Sequence, residues 1–158
     1  MLFELRAVSK RLVLNNWQAL SDIIILSFAK AKFNNGYSTD TILSEIKNDC
    51  KSNRKIKNLL LYNEASEIVG GIFCIPNSKE AIDSCDIGWY FTSPRLNMRQ
   101  KLLASDLLIN YMHQLVKNLG YKKILTEIGT KKGENILVKR YGYMRIDESK
   151  NLWQKNLF

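Results

Sequence analysis

The chain is poor in the residues that would indicate metal binding or disulfide bonds. Its 158 residues include one histidine, three cysteines and two prolines. Cys50, Cys74 and Cys85 are odd in number, widely spaced and form no CxxC pair, so we expect reduced thiols in a cytoplasmic protein. His113 has no Cys, Asp or Glu at ligand spacing. We therefore expect no metal site.

Long apolar runs and targeting signals are also missing. In the first third of the chain, the longest apolar run is IIIL at 23–26, which is too short to cross a bilayer. The N-terminal MLFELRAVSK contains Glu4 and has no apolar run after a basic region, which argues against a signal peptide. No repeat, low-complexity tract or linker interrupts the chain. We expect one domain over residues 1–158, without membrane association.

Acidic residues are scarce relative to basic ones. The chain has 15 Asp and Glu against 24 Lys and Arg, so its formal net charge is +9. Such an excess is compatible with nucleic acid, an anionic cofactor or an acidic protein as partner, and equally with a basic surface that keeps the protein soluble. The basic residues are scattered, and aromatic residues do not interleave them. Anion binding in general stays open.

The hydrophobic periodicity predicts alternating blocks of helix and strand. A strand is predicted at 2–9, then a helix over 15–33 with Asn16 as its cap, then a helix capped by Ser38 or Thr39. Further strands are predicted at 55–65, 67–76, 84–93 and 122–129, further helices at 96–119 and 133–141, and two last strands in YMRID and NLWQKNLF. The predicted order is β-α-α-β-β-β-α-β-α-β-β.

The long helix over 96–119 has a clear apolar face and a clear end. We expect Ala104, Leu108, Tyr111, Leu115 and Leu119 to be buried, His113 to face solvent, and Gly120 to terminate the helix. The segment over 84–129 should form a right-handed parallel crossover. The helix N-terminus then lies at the carboxyl end of the first strand, where open α/β sheets bind ligands.

Basic residues surround the start of this helix. Arg95, Arg99 and Lys101 lie where the helix dipole disfavours positive charge, and no acid follows before Asp106. A pyrophosphate at a helix N-terminus requires free N–H groups and positive potential, which this stretch would offer. The alternative is a solvated basic turn, because misplaced charges at a helix start cost only a few tenths of a kcal/mol to about one.

Four segments resemble the GNAT superfamily of acyl-CoA-dependent N-acyltransferases. They are DIGWYFTSP (86–94), RQKLLASDLL (99–108), LVKNLGYKKILTE (115–127) and KRYGYMR (139–145). The resemblance runs in order and spacing from about residue 55 to the C-terminus, and residues 1–54 match only as strand-helix-helix. It implies a central mixed, mostly antiparallel sheet flanked by helices (α/β, or α+β in some schemes). It also implies acetyl-CoA or another acyl-CoA as co-substrate.

The resemblance implies where the coenzyme would bind. In the family, backbone N–H groups of an Arg/Gln-x-x-Gly-x-Gly/Ala loop hold the pyrophosphate. Here Arg99 and Ala104 match the first and last motif positions, while Leu102 replaces the central glycine, so the loop is degenerate. The implied diphosphate-binding residues are Arg99, Gln100, Lys101, Leu102, Leu103, Ala104 and Ser105. The N–H groups of Phe91 and Thr92, where the family strand bulges, are implied to polarise the thioester carbonyl.

Acyl transfer to an amine also requires a base and an acid. Asp86 and Glu127, on the two neighbouring strands, are the first two candidate bases and Asp83 is the third, although ordered water can replace a side chain and a carboxylate at a strand end is often structural. The family's usual acid is a Tyr four residues before the Gly of a Gly-aromatic pair, and this sequence has Val138 there. Tyr141 is the nearest candidate acid; packing beside Gly142 is its alternative role.

The acceptor pocket implied by the resemblance involves the first two helices, their connecting loop and the last two strands. Tyr37 in the loop FNNGYSTD (33–40), with Trp153 and Phe158, predicts an aromatic, mildly polar pocket for an amine of a small molecule or protein. Because of Leu102 and Val138, a second hypothesis stays open: an inactive GNAT-like protein that binds an acidic partner or nucleic acid. A dimer is compatible with the sequence.

Overall fold

Seven strands form one sheet with helices packed on both faces. A computed structural model describes residues 2–34, 36–76, 82–147, 149 and 151–158. The elements are β1 (Glu4–Val8), α1 (Lys10–Asn15), α2 (Trp17–Phe28), α3 (Thr39–Lys51), β2 (Lys57–Tyr62), β3 (Ile68–Ile75), β4 (Ser84–Thr92), α4 (Met98–Asn118), β5 (Lys123–Glu127), α5 (Lys131–Tyr141), β6 (Met144–Asp147) and β7 (Leu152–Asn156).

The sheet topology confirms the expected mixed, mostly antiparallel sheet. The strand order is β1-β2-β3-β4-β5-β7-β6, and β4 and β5 pair in parallel, as expected for the crossover through α4. The other described strand pairs are antiparallel. One apolar layer joins the sheet to α4 and α5, and a second joins it to α1, α2 and α3. β4 contributes to both layers, so any change along this strand affects both sides of the molecule.

The first predicted helix is wrong in its bounds, because two helices form there. Ser9 caps α1 by accepting a hydrogen bond from the Leu12 amide. Asn16 then leaves helical geometry, at φ −107° and ψ 24°, before α2 begins at Trp17. The chain leaves the helix after Phe28, and Phe33 then forms a β-bridge with Thr130 in the connection between β5 and α5. Ser38 caps α3, as predicted.

The helix α4 ends as predicted, and its buried face differs from the predicted one in part: Ala104 and Leu108 are buried as expected. Gly120 has φ +95°, which favours glycine there. The buried α4 residues are Ala104, Ser105, Leu108, Ile109, Met112 and Val116. Tyr111 and Leu119, expected in the core, are exposed. The buried stripe is rotated because α4 lies across the sheet and contacts β2, β3 and β4.

The prediction that His113 faces solvent is also wrong. Its Nε2 hydrogen-bonds to the Tyr143 hydroxyl at 2.7 Å, and its ring packs edge-on against Tyr141. Burial, and secondarily Lys155, lowers the pKa of His113 to about 4. Periodicity along α4 alone cannot show this, since the residues that cover His113 come from the end of α5 and from the chain entering β6.

In the described parts of the chain, no helix is both long and apolar enough to span a membrane.

Candidate functional site

The parallel strands β4 and β5 stay together for only two residues. Residues 84–85 of β4 pair with 123–124 of β5, and no further pairs form between the described parts of these strands. The Thr126 hydroxyl then donates to the Ile87 carbonyl at 2.7 Å, which bridges the strands where they begin to part. Beyond that point β4 pairs with β3 and β5 pairs with β7. An opening therefore forms between the two strands, near the centre of the sheet.

The strand β4 bulges beside this opening. Gly88 and Trp89 together lie opposite Phe73 of β3, so β4 has one residue more than its partner here. A bulge leaves the extra residue outside the ladder and bends the strand. It also changes which side chains face which core layer. Ile87 packs with α4 and α5, whereas Phe91 packs with α1, α2 and α3.

The bulge was expected at Phe91 and Thr92, but the ladder is regular there. Phe91 pairs with Gly71 and Thr92 pairs with Gly70. The two glycines are required by close packing: a Cβ at Gly71 would lie 2.8 Å from the Phe91 ring, and one at Gly70 would lie 3.0 Å from Leu108 Cδ1. Phe91 and Thr92 therefore lie between the bulge and α4.

Trp89 lies across the opening between the strands. Its ring packs against Gly129, where the addition of a Cβ would overlap the indole. The indole N–H donates to Glu45 Oε2 at 2.6 Å. Phe28 and Tyr37 meet the ring edge-on, with centroid distances of 5.9 and 5.4 Å. These contacts come from α2, the α2–α3 loop, α3 and the residues after β5, so the position of Trp89 depends on four separate parts of the fold.

Trp89 borders three cavities, and two of them differ clearly in character. One is an apolar pocket among β4, β5, α4 and α5, with Tyr90, Ile109, Leu137 and Tyr143 in its walls. The other is an open cleft beside α3. Its charged lining residues are Glu45, Asp49, Asp86, Glu127 and Arg54.

The cleft is acidic although the protein is basic. Its described lining carries four carboxylates and one guanidinium, a formal charge of −4 + 1 = −3, in a chain of net charge +9. Asp49 Oδ1 and Arg54 Nη1 lie 3.6 Å apart. Glu127 accepts a hydrogen bond from the Tyr37 hydroxyl at 2.5 Å. Burial and this bond raise the pKa of Tyr37 above its ordinary value, so the phenol stays a donor.

Of the three aromatic residues expected at the acceptor pocket, Trp153 and Phe158 do not line this cleft. Trp153 is buried, with its N–H donated to Asn151, and Phe158 is 79% exposed under the Lys117 ammonium. Of the three aromatic residues expected, Tyr37 lines the acidic cleft. No three or more His, Cys, Asp or Glu side chains among the described residues are arranged to hold a metal ion.

The fold brings the two candidate bases into one cavity. Asp86 precedes the bulge on β4, Glu127 ends β5, and both line the acidic cleft. Tyr141 is placed elsewhere. Its hydroxyl donates to Asp106 Oδ1 at 2.7 Å, and Arg140 contacts the same carboxylate through Nε and Nη2 at 2.9 and 2.6 Å. Tyr141 thus connects α5 to α4.

The predicted diphosphate loop is the first turn of α4. Asn97 caps the helix in a capping box: its side chain accepts from the Gln100 amide, and the Gln100 side chain accepts from the Asn97 amide. The Lys101 amide donates to the Asn97 carbonyl, so from there on the amides belong to the helix. Among the described amides of this first turn, those of Met98 and Arg99 take part neither in the capping box nor in the hydrogen bonds of the helix.

The remaining residues predicted to bind the coenzyme lie further along α4. Ala104 and Ser105 are buried against the sheet, while Leu102 and Leu103 are partly exposed. Arg95 and Arg99 are exposed and Lys101 is half-buried. The helix was predicted from residue 96 and begins at Met98, because Asn97 and Gln100 form a capping box there. Among the residues expected to bind the diphosphate, Arg99 has an amide that makes no hydrogen bond within the helix. It also has an exposed, positively charged side chain in the first turn.

Two residues that line the site were missed from the sequence. Neither Trp89 nor Glu45 is among the residues assigned to a site from the sequence. Glu45 and Asp49 are four residues apart on α3, where like charges at this spacing disfavour a helix slightly. An acidic pair on one helix face could therefore have been detected as a candidate binding feature. The contact of Trp89 with Gly129 has no comparable local signal.

The strand order, the β4–α4–β5 crossover and the opening between β4 and β5 define the fold of the GNAT N-acetyltransferases. No family model and no curated protein matches the sequence. PaiA N-acetyltransferase from Thermoplasma acidophilum, in complex with coenzyme A, is 16% identical with a TM-score of 0.69, each chain being 99% covered. A GNAT acetyltransferase from Staphylococcus aureus is 14% identical, with a TM-score of 0.73 and 99% and 100% coverage.

A third solved structure of this fold is an aminoglycoside 6′-acetyltransferase of type Ii. It is 15% identical to the chain, with a TM-score of 0.66 and coverage of 98% of this chain and 97% of that one. At these identities the comparisons show the fold. What the site does is argued from its own residues.

Proposed function

We propose that the protein transfers an acetyl or other acyl group from coenzyme A directly to a primary amine. The observation that carries this proposal is the opening of β4 from β5 beside a bulge, with two carboxylates at its edge. This arrangement places the bulged backbone of β4 and the candidate bases at one cavity. The solved structures of the same fold include acetyltransferases, one of them in complex with coenzyme A.

The reaction requires a neutral amine. An alkylammonium with a pKa near 10.4 is protonated at neutral pH and must lose a proton before it attacks the thioester carbonyl carbon. Asp86 and Glu127 are the candidate groups to receive this proton, directly or through water. The new C–N bond then forms as the C–S bond breaks. The coenzyme leaves as a thiolate, which takes up one proton.

Carbonyl polarisation is assigned to the strand β4. The bulge at Gly88 and Trp89 leaves backbone outside the β3 ladder, next to the opening. Amides aimed at an oxygen that gains negative charge stabilise the transition state. Phe91 and Thr92, assigned to this role from the sequence, lie further along β4 and lead toward α4. We place them on the coenzyme side of the bulge.

The coenzyme diphosphate is assigned to the start of α4. Met98 and Arg99 supply amides, and the Arg95, Arg99 and Lys101 side chains supply positive charge. The proton for the thiolate is assigned to water, since Val138 cannot supply one and the Tyr141 hydroxyl is donated to Asp106.

Thermal unfolding with acetyl-CoA tests the binding step. A ligand at roughly 100 times its Kd stabilises the native state by about 2.7 kcal/mol. Arg99→Glu should abolish this stabilisation and leave the apo melting temperature nearly unchanged. Arg11→Glu, which makes the same charge change on the exposed face of α1, is the matched control and should retain it. Retention of coenzyme binding by Arg99→Glu would contradict the placement of the diphosphate.

Thiol release with a panel of amines tests the chemical step. Release that depends on both acetyl-CoA and an amine supports the proposal. Stabilisation by acyl-CoA without release for any amine would favour the second hypothesis, an inactive coenzyme-binding protein. That hypothesis draws on Leu102 at the family's glycine position and on Val138 at the position of its usual acid.

A further inference from the structure

We propose that Cys74 and Cys85 form a redox-active pair, which a hydroperoxide converts into a disulfide that fixes β3 to β4. The two thiols lie at the closed end of the opening between β4 and β5. The proposed acyl transfer does not use them, and the inference does not depend on that transfer. Their oxidation would change how firmly β4, the strand that carries the bulge, is held to its neighbour.

The antiparallel register of β3 and β4 brings the two thiols together. Cys74 lies opposite Ile87, and Cys85 comes two residues before Ile87, so both side chains lie on the same face of the sheet. Diagonal neighbours across antiparallel strands can reach each other. The two Sγ atoms lie 2.9 Å apart as free thiols. A bond between them therefore requires little movement of either strand.

The fold also limits which cysteines can pair. Cys74 and Cys85 are both 0% exposed, and both belong to the apolar layer that joins the sheet to α4 and α5. Cys50 belongs to the other layer, with α1, α2 and α3, on the opposite face of the sheet. The folded chain therefore favours one bridge, between Cys74 and Cys85, over any bridge to Cys50.

The pair is protected from oxidation in the absence of a small oxidant. The bond with Cys74, and then burial, raises the pKa of Cys85, and the thiolate is the form of a cysteine that reacts. The Cys85 thiol also donates to the Ile75 carbonyl at 3.2 Å. A shared metal ion is not indicated, because the described residues contain no group of three or more potential ligands that includes the pair. We therefore expect oxidation to be slower than for an exposed thiol.

The oxidation consumes one hydroperoxide and two thiols. One sulfur loses its proton and attacks a peroxide oxygen; the O–O bond breaks, and the leaving oxygen takes that proton. The sulfur is then a sulfenic acid. The second sulfur attacks the first, the S–O bond breaks as the S–S bond forms, and the released hydroxide takes the second thiol proton as water. The two sulfurs lose two electrons and the peroxide gains them. A dithiol reductant reverses the bond by exchange.

The disulfide would lie where β4 leaves its last contact with β5. Cys85 pairs with Ile124 in the second of the two parallel pairs, and the next residue, Asp86, lines the acidic cleft. On the other side, Tyr143 lines the apolar pocket, and its pKa is raised by burial and by the nearby Cys85 and Cys74. A covalent link to β3 at this point removes chain freedom that the dithiol form retains. It should therefore restrict opening of β4 beside both cavities.

Peptide mapping after oxidation of the folded protein tests the pairing. The reduced protein is treated with hydrogen peroxide below its unfolding transition, the peroxide is removed, and the chain is alkylated in denaturant and digested. We expect a disulfide between Cys74 and Cys85, a chain lighter by two hydrogen atoms, and one alkylated thiol at Cys50. Dithiothreitol should restore all three thiols. Three free thiols after peroxide, a bridge to Cys50, a bridge between two chains, or a sulfinic acid in the pair would each overturn the inference.

Matched variants separate the bridge from general peroxide damage. Cys50→Ala keeps the pair and should form the same disulfide at the wild-type rate. Cys74→Val removes one of the two sulfurs and should form no disulfide in the folded chain. The wild-type mapping does not depend on either variant, so it decides the pairing even if Cys74→Val does not fold.

Hydrogen exchange and thermal unfolding test the effect on β4. The oxidised wild-type protein should melt at a higher temperature than the reduced protein, because the bridge constrains the unfolded chain. Amides from Asp86 to Trp89 should exchange several-fold more slowly in the oxidised form, while those of β1, at the edge of the sheet, should be unchanged. Equal melting temperatures and equal exchange in the two redox forms would overturn the claim that the bridge fixes β4.

Discussion

The indole of Trp89 packs directly on the backbone of Gly129, across the gap where β4 and β5 separate. Trp89 lies within β4 and Gly129 lies two residues beyond the end of β5, and each constrains the other. Gly129 leaves room for the ring, while the ring covers the residues that follow β5. Because Trp89 borders both the apolar pocket and the acidic cleft, this contact determines how the two cavities meet.

Substitution of Gly129 by alanine should disturb this contact. A Cβ there would overlap the indole, and overpacking of this kind typically costs about 1–3 kcal/mol. We expect a lower free energy of unfolding and a changed tryptophan fluorescence spectrum. In the Trp89→Leu background the same substitution should cost much less. Additive effects of the two substitutions in urea unfolding would show that the contact is not the cause.

Stability should depend on pH through His113. In the folded protein its pKa is lowered from 6.5 to about 4, so between these values the unfolded state binds more protons. The stabilisation is therefore complete above about pH 6.5 and is lost as the pH falls to about 4, by up to about 3 kcal/mol. Urea unfolding at pH 7 and pH 4.5 measures this loss. His113→Gln can still bond to Tyr143 and should show a smaller loss; an equal loss in both proteins would contradict the assignment.

Removal of the Tyr141 hydroxyl should affect stability rather than chemistry. The hydroxyl donates to Asp106, whose pKa is lowered chiefly by its bond with Arg140. A hydrogen bond to a charged group contributes about 1.5–3 kcal/mol, so Tyr141→Phe should unfold at lower urea concentration. We expect kcat for thiol release to stay within about twofold. A fall in kcat of roughly a hundredfold or more would instead support Tyr141 as the acid for the thiolate.

The cysteines should be silent in thiol assays of the native protein. Cys50, Cys74 and Cys85 are all buried, and the Sγ atoms of Cys74 and Cys85 lie 2.9 Å apart. Burial raises the pKa of Cys50, and contact with Cys74 followed by burial raises that of Cys85. Dithionitrobenzoate should therefore detect no thiol before unfolding and three per chain in denaturant. Rapid reaction of the native protein would contradict this burial.

Elements with strong local signals could be predicted from the sequence. The strands β2, β3 and β4 fall within their predicted bounds, because each is an apolar run bounded by turn residues. Gly120 ends α4 because its positive φ costs little without a Cβ. The parallel pairing of β4 and β5 follows from the length of the crossover. These features depend on residues close together in the chain.

Features that depend on neighbours from distant segments could not be predicted. The break at Asn16 makes no side-chain cap bond to the α2 amides, so no capping signal marks it. His113 lies on the polar face of α4, but Tyr143, which follows α5, hydrogen-bonds to it and covers it. The bulge was expected too far along β4, since its position depends on how β3 pairs with β4.

The sequence by itself determined the order of elements, the fold class and the positions of Asp86 and Glu127 at strand ends, because periodicity and turn residues act over a few positions. Only the tertiary structure decided that these two carboxylates share a cleft with Glu45 and Asp49, and that Trp89 borders it. Those side chains come from α3, β4 and β5. Their proximity results from packing the whole sheet against its helices, which no local pattern encodes.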